Sequence, residues 1–293
     1  MGINMKKIII SLLFIVLIAS TLLGCGAKNQ GAFDLEKEII VVSREEGSGT
    51  RGAFVELFAI LIKGDGIRKD LTTKEAIISK QTDVVMQIIS SNKYALGYIS
   101  LGSLNDGVKV LAIEGIEPRT ENVMNGSYPI SRPFIIATKS DTSKLTKDFI
   151  SFIMSKQGQG VIAKSYIAIS DDFQNYSTVK ASGRIVVAGS TSVAPIMEKL
   201  KEAYMQINPG VVIEIQQSDS SSGMQGVIDG NSDIAMVSRE LAKSEREKLT
   251  PIKIALDGIV LIANKHNPVV GLTREQVGDI YTGKILTWGQ INE

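Results

Sequence analysis

From residue 38 onward, short β-branched runs alternate with amphipathic stretches, and no other feature of the chain restricts its fold so tightly. A strand covered by helices on both faces reads as a brief continuous apolar run. The helices between such strands carry apolar residues every three or four positions. Residues 39–43, 95–100, 108–111, 133–138, 185–187, 211–215, 234–237 and 259–263 fit the first description. The second fits Ala53, Phe54, Leu57, Phe58 and Leu61, then Val84, Val85, Ile88 and Ile89. It also fits 149–162 with an interruption near Gly158, 197–205, and a short helix at 223–228. The pattern predicts an α/β protein. A polar loop is expected at 63–70 and an interior linker at 168–183. Aromatic residues make up 5% of the 293-residue chain against 27 glycines, which suits tight strand–helix turns rather than an aromatic-rich β-sandwich. This length can bury one two-lobed unit or two small domains.

The first 25 residues differ in kind. Met5, Lys6 and Lys7 make a basic start, residues 8–23 are almost wholly apolar, and Gly24 precedes Cys25, the chain's one cysteine. A short apolar run ending in a small-residue cleavage site predicts a secretory signal over 1–24 rather than a membrane span. Leu22, Leu23, Gly24 and Cys25 resemble a bacterial lipobox, in which the cysteine is acylated and becomes the new N-terminus. Lipidation at Cys25, a tether over 25–37 and a place on the outer face of the cell membrane are therefore expected. An uncleaved anchor with an idle cysteine is the alternative. One cysteine also excludes a disulfide framework within the chain. The formal charge of +1 gives no basic balance to recruit nucleic acid, so an anion site would have to build its positive potential locally.

Three places share one design: a strand, a turn of small residues, then a helix. They are residues 188–192 (with Ser190, Thr191 and Ser192), 220–223 (with Ser221, Ser222 and Gly223) and 46–50 (with Gly47, Ser48, Gly49 and Thr50). A helix start leaves backbone N–H groups unpaired and carries about half a positive charge. Ser and Thr add hydroxyl donors, and Gly lets the backbone approach a ligand closely. Each turn alone is as well explained by a plain N-cap; three together make an anion cradle. Arg44, at the end of a strand beside the third turn, offers a guanidinium fork to two oxyanion oxygens. Glu46 would repel a fully ionised anion but can accept a hydrogen bond from the P–OH of hydrogen phosphate. Sulfate has no such proton at neutral pH, so Glu46 is expected to reject it. A solvated surface pair is the competing reading of Arg44 and Glu46.

Catalytic readings are weaker. Residues 47–51 lack the glycine–lysine order of a nucleotide-binding loop. The one histidine, His266, lies in a turn beside Asn267 and Pro268, and no Gly-x-Ser-x-Gly elbow supports a triad. One cysteine and one histidine cannot build a metal cluster. Tyr281 and Trp288 read as packing residues. No cofactor, metal or catalytic residue is expected.

Residues 186–195, 238–241, 254–259 and 279–285, with 41–50, 95–102 and 128–134, resemble the phosphate-binding proteins of ABC importers, the PstS family. The resemblance runs from residue 38 to residue 293. It implies a two-lobed type II periplasmic-binding-protein fold with the ligand cleft between α/β lobes. It further implies that inorganic phosphate is the ligand and that an ABC permease with its ATPase is the partner. Carried over position by position, it implies that Thr191, Ser192, Ser221, Arg44, Glu46, Ser48, Gly49 and Thr50 bind phosphate, with Ser222 and Arg239 as further candidates. Some relatives carry a carboxylate where this chain has Arg239, so Arg239 is either a ligand contact or an ion pair at the lobe edge. Another oxyanion (molybdate, tungstate or sulfate), a surface sensor or adhesin, and an enzyme acting on phosphate esters are the rival readings.

Segment order departs from the family. Members run from the Gly-Ser-Thr-Ser turn to the Gly-Lys-Ile-x-x-Trp stretch and then to the Arg-Glu-Glu-Gly-Ser-Gly-Thr stretch, whereas here the last part comes first. This order resembles a circular permutation with 169–183 joining the ancestral ends; a rearranged or incomplete gene is the alternative. The permutation implies a continuous lobe over 135–263 and a split lobe of 38–134 plus 264–293, with hinges at 134–138 and 259–264.

Overall fold

The computed structural model describes residues 32–64, 67–170, 172–178 and 180–292. The expected signal over 1–24 and the lipidation site at Cys25 lie outside them. Residues Leu35–Glu293 form one compact unit. No described helix is long and apolar enough to cross a membrane.

The chain first lays down β1 (Ile40–Arg44), a hairpin of β2 (Leu61–Gly64) and β3 (Ile67–Asp70), β4 (Ile77–Ser79), β5 (Ala95–Ser100) and β6 (Lys109–Ile113). It continues through β7 (Ser131–Thr138), β8 (Ile167–Ala168), β9 (Ser182–Ser190), β10 (Gly210–Ser218) and β11 (Ile234–Val237) to β12 (Thr250–Ala263) and β13 (Gly271–Leu272). Eleven strands form one mixed sheet whose main path is β10-β9-β11-β7-β12-β5-β1-β4.

Two lobes share β12. Its residues Thr250 to Gly258 pair antiparallel with β7, and residues Ile259 to Ala263 pair with β5. The partner changes between Gly258 and Ile259, where the Ile259 N–H donates to the Ile130 carbonyl at 2.8 Å. β7 begins at Ser131 and pairs with β12 along its whole length, which puts the change of sheet partner at 130/131 and 258/259, beside the expected hinge segments 134–138 and 259–264.

Both faces of the β9 lobe's sheet are covered, which explains the unbroken apolar run in β7. Phe134 and Ile136 pack into one core with Phe149, Phe152 and Leu200. Ile135 and Ala137 face the other way, toward Met224, Val227 and Leu249. The β5 lobe is built on Val42, Val85, Ile89, Ile99, Val260 and Ile262.

The ends of the described chain meet. The Ile39 N–H donates to the Leu286 carbonyl at 2.7 Å, Gly289 N–H to the Leu35 carbonyl at 2.8 Å, and Glu38 bridges Thr287. Trp288 and Tyr281 are fully buried beside this junction's lobe.

Where sequence and structure differ, local chemistry explains it. The helix Gly49–Leu57 stops before Leu61, because Ala59 adopts a positive φ of 54° and the chain turns into β2. Within the expected loop at 63–70, Lys63 and Gly64 pair antiparallel with Arg68 and Ile67. The helical stretch after residue 143 breaks ahead of Gly158: Lys144–Ile153 ends, and Ser155 caps Lys156–Ile162 by accepting the Gly158 N–H at 3.2 Å. The first half of β12 was hidden by Pro251, Lys253, Asp257 and Gly258, and its pairing shifts register between Lys253 and Ala255.

Candidate functional site

β1 delivers Arg44 to the cleft because its far end is held from below. Tyr98 stacks on Phe54 at 3.8 Å between ring centroids, Ser43 bonds its hydroxyl at 2.9 Å, and the Arg44 N–H donates to it at 3.1 Å. Tyr281 donates to the Val42 carbonyl at 3.1 Å. Burial pushes the Tyr98 hydroxyl's pKa up from its ordinary value, so it stays a neutral support at physiological pH.

The Arg44 side chain is buried at 3% exposure. Its Nε and Nη2 form a fork on Glu45 at 2.9 and 2.8 Å, and further bonds reach the carbonyls of Ser79 and Lys80, each at 3.2 Å. Two more contacts line the cleft: Nη2 reaches Thr191 Oγ1 of the other lobe at 3.1 Å, and Nη1 meets Thr82 Oγ1 of its own lobe at 3.3 Å. Arg51 braces the same turn by donating to the Arg44 carbonyl at 2.8 Å and to Asp70 at 2.8 Å.

Hydroxyls from both lobes meet around this guanidinium. Thr50 Oγ1 and Ser192 Oγ lie 2.8 Å apart, and Thr82 Oγ1 lies 3.3 Å from Thr191 Oγ1. Ser221 donates from its N–H and its hydroxyl to the Gly47 carbonyl, at 3.4 and 3.3 Å. Gly49 comes so close to the β9 lobe that a methyl group there would lie 2.6 Å from Ser238 Oγ and nearer still to Ser220 Oγ. Ser238 Oγ also accepts from Ser190 Oγ at 2.9 Å.

Four helices begin at this cluster: Gly49–Leu57, Thr82–Ser91, Ala194–Ile207 and Ser220–Asp229. Their partial positive ends and the Arg44 charge sum to a local anion-attracting potential in a chain of nearly zero net charge. A cavity of about 660 Å³ opens beside Thr82 and Thr191, lined from both lobes by Gln81, Met86, Pro195 and Gln217. A larger hollow of about 840 Å³, bordered by Val110, Val270 and Leu272, includes none of these residues.

The sequence candidates therefore divide. Arg44, Ser48, Gly49, Thr50, Thr191, Ser192 and Ser221 come together, although Ser48 Oγ is partly committed to capping its helix through the Arg51 N–H. Glu46 does not join them. Its side chain is exposed, and the carboxylate meeting Arg44 is Glu45. A carboxylate in bulk water imposes little penalty on a sulfate oxygen, so the expected rejection of sulfate by Glu46 loses its physical basis. Ser222 is also exposed, its N–H and hydroxyl both spent on the Asp219 cap at 2.9 and 2.6 Å. Arg239 makes a two-bond ion pair with Glu245 at 2.7 and 2.8 Å while touching Ser221 Oγ at 3.2 Å. It is an ion pair at the lobe edge that borders the cradle.

Sequence reading missed Thr82 and the role of Ser238, and it left Ser190 and Ser220, which lie in the turns it identified, out of the ligand set. Thr82 opens the helix carrying Val85 and Ile89 and could have been found as a fourth polar helix start. Ser238 stands in a quoted motif but follows a strand that leads to no small-residue turn.

A two-lobed α/β fold with buried hydroxyls, a guanidinium and helix starts between its lobes defines a solute-binding protein for a small oxyanion. A family model described as a PBP superfamily domain matches residues 27–157 and 175–292. "Phosphate-binding protein PstS 2" of Streptococcus agalactiae serotype V is 47% identical over 271 residues, 92% of each chain. A crystal structure of a phosphate ABC transporter's phosphate-binding protein from Streptococcus pneumoniae TIGR4 is 45% identical. It aligns with a TM-score of 0.70 over 87% of this chain and 99% of that one. "Phosphate-binding protein PstS" of Staphylococcus saprophyticus is 35% identical over 126 residues, 40% of each chain. The chain belongs to the PstS family of phosphate-binding proteins.

Proposed function

We propose that this protein captures inorganic phosphate between its lobes outside the cytoplasm and delivers it to the permease of an ABC importer. The reading rests on one observation above all: buried Arg44 crosses the cleft to Thr191 at a point where four helices start. A tetrahedral ion seated there would exchange the hydroxyl pairs Thr50–Ser192 and Thr82–Thr191 for bonds to its own oxygens. Hydroxyls can donate to an ionised oxygen or accept from a protonated one, which suits an anion that carries a proton. No covalent step is involved. The relatives' names, each a phosphate-binding protein, support the ligand.

In the cycle, an open form admits phosphate, the cradle replaces its hydration shell, and the lobes close about the crossover at 130/131 and 258/259. Anchoring by a lipid on Cys25 would keep the protein beside the permease and its ATPase. The circularly permuted order is part of the same proposal. The PstS 2 relative aligned over 92% of both chains shares this order, so the permutation is relative to other members; it is supported by the pairing of 35–39 with 286–289 and by contacts of residues 172–178 in the expected connection. In that connection Tyr176 bonds Asp148 at 2.7 Å and packs edge-on against Phe152.

Calorimetric titration with phosphate and with sulfate tests the ligand. Saturable one-to-one heat with phosphate and at least tenfold weaker binding of sulfate are expected. Equal affinities, or no heat with phosphate, would defeat the assignment.

A further inference from the structure

Two charged residues lie under the cradle without touching any of the hydroxyls that face Arg44: Arg132 on β7 and Asp257 on β12. They sit directly opposite each other in the sheet register. Both side chains are withdrawn from water, at 1% and 0% exposure. Asp257 Oδ2 accepts from Arg132 Nε at 3.1 Å and from Nη2 at 3.0 Å. Its other oxygen, Oδ1, accepts from Ser100 Oγ at 2.7 Å.

Ser100 ends β5 and so belongs to the other lobe. One carboxylate thus grips both lobes a single residue before β12 changes partner. Arg132 in turn donates from Nη1 to the Ser238 carbonyl at 3.3 Å, and its guanidinium carbon lies 5.3 Å from the Phe134 ring centroid. Ser238 is the residue whose hydroxyl meets Ser190 and closes on Gly49. A continuous polar path therefore runs from Ser100 through Asp257, Arg132 and Ser238 into the cradle.

A packed apolar pair of the same volume would hold the sheet together without desolvating two charges. It would not orient Ser238 or bond the opposite lobe. Burial raises the Asp257 carboxyl's pKa, while Arg132, Ser100 and the Gly102 N–H pull it back down. Burial lowers that of Arg132, and Asp257 opposes the shift. Burial prevails in both, and each partner opposes the shift in the other.

We propose that Arg132 and Asp257 are positioning residues for the anion site, setting Ser238 at the cleft floor and coupling it to the crossover about which the lobes close. The inference rests on the phosphate reading above, and the wild-type titration separates the two. No heat with wild-type protein defeats that reading and this one with it; a binding wild type leaves only the pair in question.

The test compares phosphate affinity and melting temperature for wild type, the double variant Arg132→Met/Asp257→Leu, and Ser100→Ala. The apolar double variant should melt within a few degrees of wild type yet bind phosphate at least tenfold more weakly. Ser100→Ala should weaken binding at least threefold with little change in melting. Wild-type affinity in a folded double variant would overturn the proposal. If the double variant does not fold, Ser100→Ala decides: weakened binding supports the proposal and unchanged binding overturns it.

Discussion

Arg44 owes its orientation to neighbours that leave its guanidinium little freedom: Glu45, the carbonyls of Ser79 and Lys80 at the end of β4, and hydroxyls from Thr82 and Thr191. A planar fork with donors on three nitrogens is what this arrangement uses. Lysine keeps the charge but presents one ammonium. Arg44→Lys should therefore raise the phosphate dissociation constant about 10- to 100-fold, roughly 1.4–2.7 kcal/mol, in a calorimetric titration. Glu46→Gln, by contrast, should change phosphate affinity less than about twofold and leave discrimination against sulfate intact, because its carboxylate is solvated. The Arg44, Thr191 and Ser192 cluster was legible because motif chemistry named those residues. The choice between Glu45 and Glu46 was not legible: adjacent residues after a strand leave on different sides, and only the turn geometry decides which carboxylate folds back on the arginine.

Among elements, the helix Gly49–Leu57 has the tightest approach to the opposite lobe. Alanine at Gly49 would fit the helix itself without strain, but its methyl would strike Ser238 and Ser220. Gly49→Ala should keep stability within about 1 kcal/mol of wild type while weakening phosphate binding at least tenfold; affinity and melting temperature measured on one preparation separate these effects. The β2–β3 hairpin carries a different signal through Asp70. Burial raises that carboxyl's pKa, but bonds from Thr72 and Arg51 outweigh it, and the net shift is downward from 3.8. The stabilisation is thus full above the ordinary value and is lost as pH falls through the lowered folded value. Asp70→Asn should melt below wild type at pH 7, and the gap should close in melting curves below pH 3.8. Strand cores such as β5 and β11 could be read from their apolar runs. The hairpin and the first half of β12 could not, since polar residues, Pro251 and glycine mask the period in a strand whose partners come from distant sequence.

At the scale of the whole molecule, the chain enters the β5 lobe, crosses at residue 131, builds the β9 lobe and returns along β12. Its described ends finish side by side. The two-lobed class followed from the alternation of elements and the family motifs together. The crossover could not be placed from sequence because β12 is a single strand shared by both lobes. Phosphate bound between lobes stabilises only the closed, folded form, so the melting temperature should rise with phosphate concentration, by about 2.7 kcal/mol of stability at 100 times the dissociation constant. Thermal melts with and without phosphate measure this, and sulfate at equal concentration should give a markedly smaller rise.

The most direct test is a crystal structure grown with phosphate. Tetrahedral density within hydrogen-bonding distance of Arg44, Thr50, Thr191 and the start of the helix Ser220–Asp229 is the expected result. Density at another surface, or a cleft holding only water at saturating phosphate, would contradict it.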